Sequence, residues 1–157
     1  MSNTTTLTSR MPNPAVTVPG AMDALQALSK ATSRAKVGID LELVHLRASQ
    51  INGCSVCTDM HAKALRGAGE SEERVWSVAS WRETPYFTDA ERVALELTEA
   101  LTRVADGAEG VSDDLWARCR EHFDDNQLGA LVIEVGVINL WNRLNVATRQ
   151  VVGEQGW

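Results

Sequence analysis

The stretch that decides the fold is DLELVHLRASQINGCSVCTDMHA, residues 40–62. Its first half repeats apolar residues at helical spacing, and Asp40 precedes the repeat as a helix N-cap. Asn52 and Gly53 then interrupt the pattern, and a second helix begins at about Cys54. We therefore predict two consecutive helices joined by a tight turn, with the apolar face of the first made by Leu41, Val44, Ala48 and Ile51.

Helical patterns continue over most of the chain, and no alternating strand pattern bounded by hairpin turns is present. Residues 1–20 are rich in Ser, Thr, Asn and Pro and are predicted to form an extended N-terminal arm. Residues 21–157 are predicted to form a single all-α domain, a helical bundle. Its other helices are expected from Ala24 to near Gly38, from Ser71 to Ser80, from a capping box at Thr88, from Ser112 to about Phe123, and from Asp124 through the apolar run LGALVIEVGVINLWNRL.

The composition is that of an ordinary globular domain, with 157 residues, 44% hydrophobic and 23% charged. A net charge of −6 argues against nucleic acid or an anionic membrane surface as the main partner. No apolar run reaches the length of a membrane span, and the first 20 residues lack the pattern of a signal peptide. We therefore expect a cytoplasmic protein, in which a Cys-x-x-Cys pair is more often catalytic or metal-binding than a permanent disulfide.

Cys54 and Cys57 lie three residues apart at the start of the second predicted helix. This spacing brings both thiols to one face, where a disulfide is feasible after a modest adjustment. Unpaired N–H groups and the partial positive charge at a helix N-terminus favour a thiolate, which is the reactive form of cysteine. His61 follows Cys57 by one helical turn and can accept or return its proton. Redox chemistry at the cysteine pair is the interpretation that we favour.

Glu42 is predicted to belong to the same site. It precedes the turn at Gly53 by about 16 Å of helix, and His61 follows the turn by about 12 Å. If the two helices are antiparallel, Glu42 lies within about one turn of the level of His61. Glu42 and His61 would then form a proton relay that serves Cys57.

Other interpretations remain open at this stage. A zinc site could combine Cys54 and Cys57 with Cys119 and His122, which have the residue types of a three-cysteine, one-histidine site. The cysteines could also be buried thiols without chemistry. His45 is interpreted mainly as a partly buried helical histidine, with a place in the proton network as the less favoured alternative. Glu134, inside the apolar run, is expected to pair with an arginine such as Arg143 or to lie at an interface.

The chain resembles the alkylhydroperoxidase D-like (AhpD-like) branch of the carboxymuconolactone decarboxylase superfamily. The resemblance rests on Glu42 followed by LVHLRASQINGCSVCTDMHAK, on WRETPYFTDAER at residues 81–92 and on INLWNRLNVA at residues 138–147. It covers almost the whole chain. The combination of a glutamate, a Cys-x-x-Cys pair and a histidine four residues later is specific, whereas a Cys-x-x-Cys pair alone would not be.

The resemblance implies an all-helical protein that assembles as a trimer or hexamer and reduces hydroperoxides without a bound cofactor or metal. Cys57 would be the peroxidatic thiolate, Cys54 the resolving thiol, and His61 with Glu42 the proton relay. A small dithiol or a reductase partner would supply the electrons. Some peroxidase members carry a histidine between the cysteines, where this chain has Val56. The lactone-decarboxylating branch shares the fold and generally lacks the cysteine pair, so this activity is the less favoured alternative.

Overall fold

A computed structural model describes residues 6–107 and 109–155 of the chain. These residues form helices and no strand, which confirms the all-α prediction. The helices are α1 Pro14–Thr17, α2 Ala21–Ser33, α3 Leu41–Asn52, α4 Ser55–Gly67, α5 Glu72–Ser77, α6 Asp89–Thr102, α7 Asp113–His122 and α8 Asp125–Thr148, with a 3-10 helix at Val78–Glu83 between α5 and α6.

The helix boundaries follow the capping signals in the sequence. The side chain of Asp40 accepts a hydrogen bond from the backbone N–H of Glu42 and begins α3. Gly53 ends α3 with a φ of 67°, in the left-handed region that glycine adopts without steric cost. Thr88 and Glu91 form the predicted capping box of α6. Asp40 and Gly53 thus fix where α3 begins and where the chain turns back into α4.

α3 lies at the centre of the bundle, in contact with α4, α6 and α8. Its residue Val44 belongs to a core cluster that also contains Leu97 of α6, Leu115 of α7 and Leu131 of α8. Leu43 and Leu46 belong to a second cluster, with Leu65 of α4 and Trp81 of the 3-10 helix. Because α3 packs into two core clusters, its other side chains, which lie beside α4 and α8, are held in fixed positions.

The N-terminal arm is not extended throughout. Residues 1–5 of the predicted arm lie outside the described residues, but Pro14–Thr17 form the single turn of α1. Asn13 caps that turn by accepting from the backbone N–H of Ala15, and proline is favoured in the first turn of a helix. The backbone N–H of Arg10 donates to the carbonyl of Thr148, at 2.8 Å, so this segment lies along the end of α8. The division at residue 20 stays a prediction.

α8 is apolar around most of its circumference, but it is not buried all round. Ile133, Leu140 and Val146 are each exposed by more than 40% on the surface of the single chain. Inside the bundle, Glu134, Asn142 and Asn145 of the same helix are buried polar residues. No helix in the described part of the chain is long and apolar enough to cross a lipid bilayer.

Candidate active site

The site is built on the hairpin of α3 and α4. Cys54 is the N-cap of α4 and is joined to Cys57 by a disulfide, with a Cα–Cα distance of 5.4 Å. The backbone N–H of Cys57 points to the sulfur of Cys54 at 3.3 Å. Both cysteines are about 1% exposed. The predicted pair is therefore brought together at the first turn of α4, where the helix end favours a thiolate once the disulfide is reduced.

Glu42 and His61 make direct contact across the hairpin. Nδ1 of His61 lies 2.6 Å from Oε2 of Glu42, within hydrogen-bonding distance. Nε2 of His61 is buried and has no hydrogen-bond partner among the described residues. This nitrogen and the sulfur of Cys57 belong to side chains that line the same cavity. The catalytic roles assigned to these four residues stay predictions, although Glu42, Cys57 and His61 line one cavity and Cys54 is bonded to Cys57.

The cavity beside Cys57 has a volume of about 450 Å³. Its walls are mainly apolar, with a smaller number of polar side chains among them, as is common in small-molecule sites. The apolar walls include Met22, Leu41, Met60, Val137, Ile138 and Trp141. The polar lining residues are Glu42, His45, His61 and Glu134, together with Gln26, Ser29, Ser33 and Asn145. A small organic molecule of low polarity fits these surroundings better than a multiply charged one.

His45 and Glu134 extend the polar network beyond the residues selected from the sequence. Nε2 of His45 lies 2.9 Å from Oε2 of Glu134, and Nδ1 of His45 lies 3.6 Å from Oε1 of Glu42. The hydroxyl of Thr32 on α2 donates to the other oxygen of Glu134. The interpretation that pairs Glu134 with Arg143 is therefore wrong, because Arg143 donates to the backbone and side chain of Asn139 instead.

The charges of this network are coupled. Burial by itself would raise the pKa of Glu42, but its contacts with His45 and His61 outweigh burial and lower the pKa to about 2. Burial would lower the pKa of His45, yet the carboxylates of Glu134 and Glu42 raise it to about 9. The pKa of Glu134 is lowered despite burial because His45 and Thr32 donate to it. At neutral pH the carboxylates of Glu42 and Glu134 are therefore ionised, and His45 between them is a positively charged imidazolium.

Asn145 of α8 is a further polar contact of the cysteine pair. Its Nδ2 donates to the sulfur of Cys57 at 3.2 Å, and its Oδ1 accepts from Nδ2 of Asn13 at 2.8 Å. Both asparagines are buried. Sequence reasoning missed these two residues because no spacing rule connects α8 or the N-terminal segment with Cys57. For His45 the signal was present, since it lies three residues after Glu42 on one helical face.

The four-residue zinc site proposed from the sequence is not formed. Cys119 is buried in the core cluster that contains Leu97 and Leu115, and His122 is exposed at the end of α7. Cys54 and Cys57 belong to a different cluster, on α4. Among residues 6–107 and 109–155, the group of side chains close enough to share a metal ion is Glu42, His45 and His61, whose donor atoms lie within 4.8 Å of one another.

The fold agrees with comparisons against known proteins. The model of the carboxymuconolactone decarboxylase family matches residues 19–100, and the chain belongs to this family, within its AhpD-like part. The chain is 36% identical over 130 residues to the uncharacterized protein YdfG of Bacillus subtilis, covering 82% of this chain and 87% of YdfG.

Two further relatives bear the name AhpD. The crystal structure of ATU0492 from Agrobacterium tumefaciens, a protein of unknown function and candidate antioxidant defence protein AhpD, superimposes with a TM-score of 0.83 at 35% identity. The match covers 94% of this chain and all of ATU0492. The alkyl hydroperoxide reductase AhpD of Solibacter usitatus is 43% identical over 56 residues, which is 36% of this chain and 32% of that protein. A peroxidase-like role therefore fits the family and the cysteine pair together.

Proposed function

We propose that the protein is a thiol-dependent peroxidase that reduces organic hydroperoxides through Cys57 and Cys54. The observation that carries the proposal is the contact between Glu42 and His61 beside the Cys54–Cys57 disulfide, with Cys57 and His61 lining one cavity. A redox-active cysteine needs a thiolate, a proton acceptor and access for the oxidant. The hairpin of α3 and α4 supplies the first two, and the cavity supplies the third.

In the proposed first step, His61 takes the thiol proton of Cys57, and Glu42 stabilises the resulting imidazolium. The thiolate attacks the O–O bond of the hydroperoxide, so that an S–O bond forms and the O–O bond breaks. The alkoxide that leaves takes the proton back from His61. Cys57 is oxidised to a sulfenic acid and the hydroperoxide is reduced to an alcohol.

In the second step, the thiol of Cys54 attacks the sulfur of the sulfenic acid. The S–S bond forms, the S–O bond breaks, and the hydroxyl leaves as water with the proton of Cys54. A dithiol then returns the protein to its reduced form by thiol–disulfide exchange and is itself oxidised to a disulfide. This donor is a small dithiol or the dithiol of a reductase partner.

Two cavities support separate routes for the oxidant and the electron donor. Cys57 lines the cavity of about 450 Å³ that contains Glu42 and His61. Cys54 lines a second cavity, of about 680 Å³, between the start of α4 and the segments 6–8 and 149–152. We infer that the hydroperoxide reaches Cys57 through the first cavity and that the donor reaches Cys54 through the second.

Assembly as a trimer or hexamer belongs to the same proposal. Ile133 and Leu140 are seven residues apart along α8 and share one exposed face. Exposed apolar residues that share a face are typical of protein–protein contacts. We infer that this face packs against another copy of the chain.

The test begins with reduced protein and one equivalent of cumene hydroperoxide. We expect the loss of two thiols per chain and the formation of the Cys54–Cys57 disulfide, measured by thiol titration and peptide mass spectrometry. Cys57→Ser should abolish consumption of the hydroperoxide, whereas Cys54→Ser should accumulate a sulfenic acid that dimedone traps. Cys119→Ala is the matched control, because Cys119 lies in another core cluster. Full turnover by the Cys57→Ser variant would refute the assignment.

A second candidate is ring-opening or decarboxylating chemistry of a lactone, with His61 as the base. It is supported by the family to which the chain belongs and by the contact between Glu42 and His61 at the cavity. The cysteine variants and His61→Ala separate the two candidates. In lactone chemistry the cysteine variants would keep activity and His61→Ala would lose it.

A further inference from the structure

The contact between His45 and Glu42 needs a positive charge to be favourable. If Nε2 of His45 donates its hydrogen to Glu134 at 2.9 Å, then Nδ1 carries a lone pair. That lone pair lies 3.6 Å from a carboxylate oxygen of Glu42, and Nδ1 is buried without a hydrogen-bond partner among the described residues. A buried lone pair that faces a partly buried carboxylate is unfavourable unless a proton or a metal ion lies between them.

The groups around this point are those that bind transition metals. Glu42, His45 and His61 provide one carboxylate and two imidazoles, with donor atoms within 4.8 Å of one another. Zinc accepts this set of ligands, and three protein ligands with one open position are typical of zinc sites that also bind water. All three side chains line the cavity of about 450 Å³, which leaves room for that fourth ligand.

Glu134 stands where an outer carboxylate of a metal site is usually found. A histidine that ligates a metal through one ring nitrogen commonly donates its other N–H to a carboxylate, which fixes the orientation of the ring. His45 has this arrangement, with Glu134 at Nε2 and the free Nδ1 directed towards Glu42. Thr32 in turn donates to Glu134 and holds it in place.

We propose that Glu42, His45 and His61 form a site for a divalent transition metal such as Zn²⁺, with Glu134 as its outer carboxylate. The metal replaces the positive charge that a proton otherwise supplies between His45 and Glu42. It also occupies the groups that handle the proton of Cys57, so that zinc inhibits the thiol chemistry. This last consequence rests on the proposed function, whereas the metal site itself does not.

The experiment measures zinc binding to the disulfide form of the protein, in which neither Cys54 nor Cys57 has a thiolate to offer. After treatment with a chelator, Zn²⁺ is titrated by isothermal titration calorimetry, and circular dichroism verifies the fold of each variant. We expect one ion per chain. Glu134→Gln should weaken binding by about 10- to 100-fold, as is usual for the loss of an outer carboxylate. His45→Gln and Glu42→Gln should weaken it more, because each removes a ligand.

His122→Gln is the matched control, because His122 is the histidine outside the cluster and is exposed. It should bind zinc with the affinity of the unchanged protein. The proposal is overturned if the disulfide form binds no stoichiometric zinc, or if folded His45→Gln and Glu42→Gln variants bind as tightly as the His122→Gln control.

A peroxide assay with and without zinc separates this proposal from the proposed function. If zinc binds as expected and the protein consumes no hydroperoxide, the metal site stands and the peroxidase assignment fails. If hydroperoxide is consumed and zinc does not bind, the metal site fails and the peroxidase assignment stands.

Discussion

Asn145 offers the sharpest test of how the bundle activates Cys57. Its Nδ2 lies 3.2 Å from the sulfur of Cys57 and is the side-chain donor that α8 contributes to the cysteine pair. A hydrogen bond to a charged acceptor stabilises it by about 1.5–3 kcal/mol. If Asn145 donates to the Cys57 thiolate in the reduced protein, Asn145→Ala removes that stabilisation. Since about 1.4 kcal/mol corresponds to a factor of ten, the thiolate population should fall by about 10- to 100-fold.

The assay is the rate at which iodoacetamide alkylates Cys57 at a pH where the thiol form predominates. The Cys54→Ser background keeps Cys57 from forming the disulfide, and peptide mass spectrometry assigns the modified residue. Asn126→Ala is the matched control, because Asn126 is exposed in the first turn of α8. Asn13→Ala should give a smaller decrease, since Asn13 only orients the amide of Asn145. An Asn145→Ala protein that is folded and reacts at the rate of the Asn126→Ala control would refute the reasoning.

Three further predictions concern the stability of the bundle. Glu99 accepts hydrogen bonds from Trp81, Arg82 and Arg47. Burial would raise the pKa of Glu99, but these contacts outweigh burial and lower it below the unfolded value of about 4.5. The stability that Glu99 contributes is therefore present above the unfolded pKa and is lost as the pH falls through the folded pKa. Urea unfolding between pH 7 and pH 3 should therefore depend less on pH in Glu99→Gln than in the unchanged protein. Leu131→Ala, at a fully buried position, should lower the free energy of unfolding by about 2–5 kcal/mol in the same assay. Cys119 should react with iodoacetamide only on unfolding, because burial raises the pKa of its thiol to about 11.

Each of these has a simple contrary outcome. An unchanged pH dependence in Glu99→Gln would mean that its ion pairs and hydrogen bonds do not govern acid unfolding. A loss below about 1 kcal/mol for Leu131→Ala would mean that the site collapses around the missing atoms. Rapid alkylation of Cys119 in the native protein would mean that α7 opens locally.

The helices of this protein could be predicted from the sequence because their ends carry local signals. Asp40, Gly53 and Thr88 each act on backbone groups within a few residues, and the capping contacts expected of Asp40 and Thr88 are formed. The hairpin of α3 and α4 is local in the same sense. Since only a short turn separates its helices, spacing along the two axes was enough to place Glu42 beside His61.

The rest of the site depends on packing that no local pattern encodes. His45 meets Glu134 across 89 positions of sequence, and Asn145 meets Cys57 across 88. These contacts exist because α8 packs against α3 and α4, and the rotation of α8 about its axis decides which of its polar residues point inward. An almost uniformly apolar helix gives no amphipathic pattern from which that rotation could be read. Glu134 was therefore assigned to the wrong partner.

The hydrogen bond from Asn13 to Asn145 makes the beginning of the chain part of the site's support. A shortened protein that starts at residue 21 would keep every helix from α2 to α8, and by far-ultraviolet circular dichroism it would look intact. It would nevertheless lack the amide that holds Asn145 against Cys57. Trimming the N-terminus to improve crystals or expression would thus change the chemistry of a sulfur atom that lies more than forty residues further along the chain.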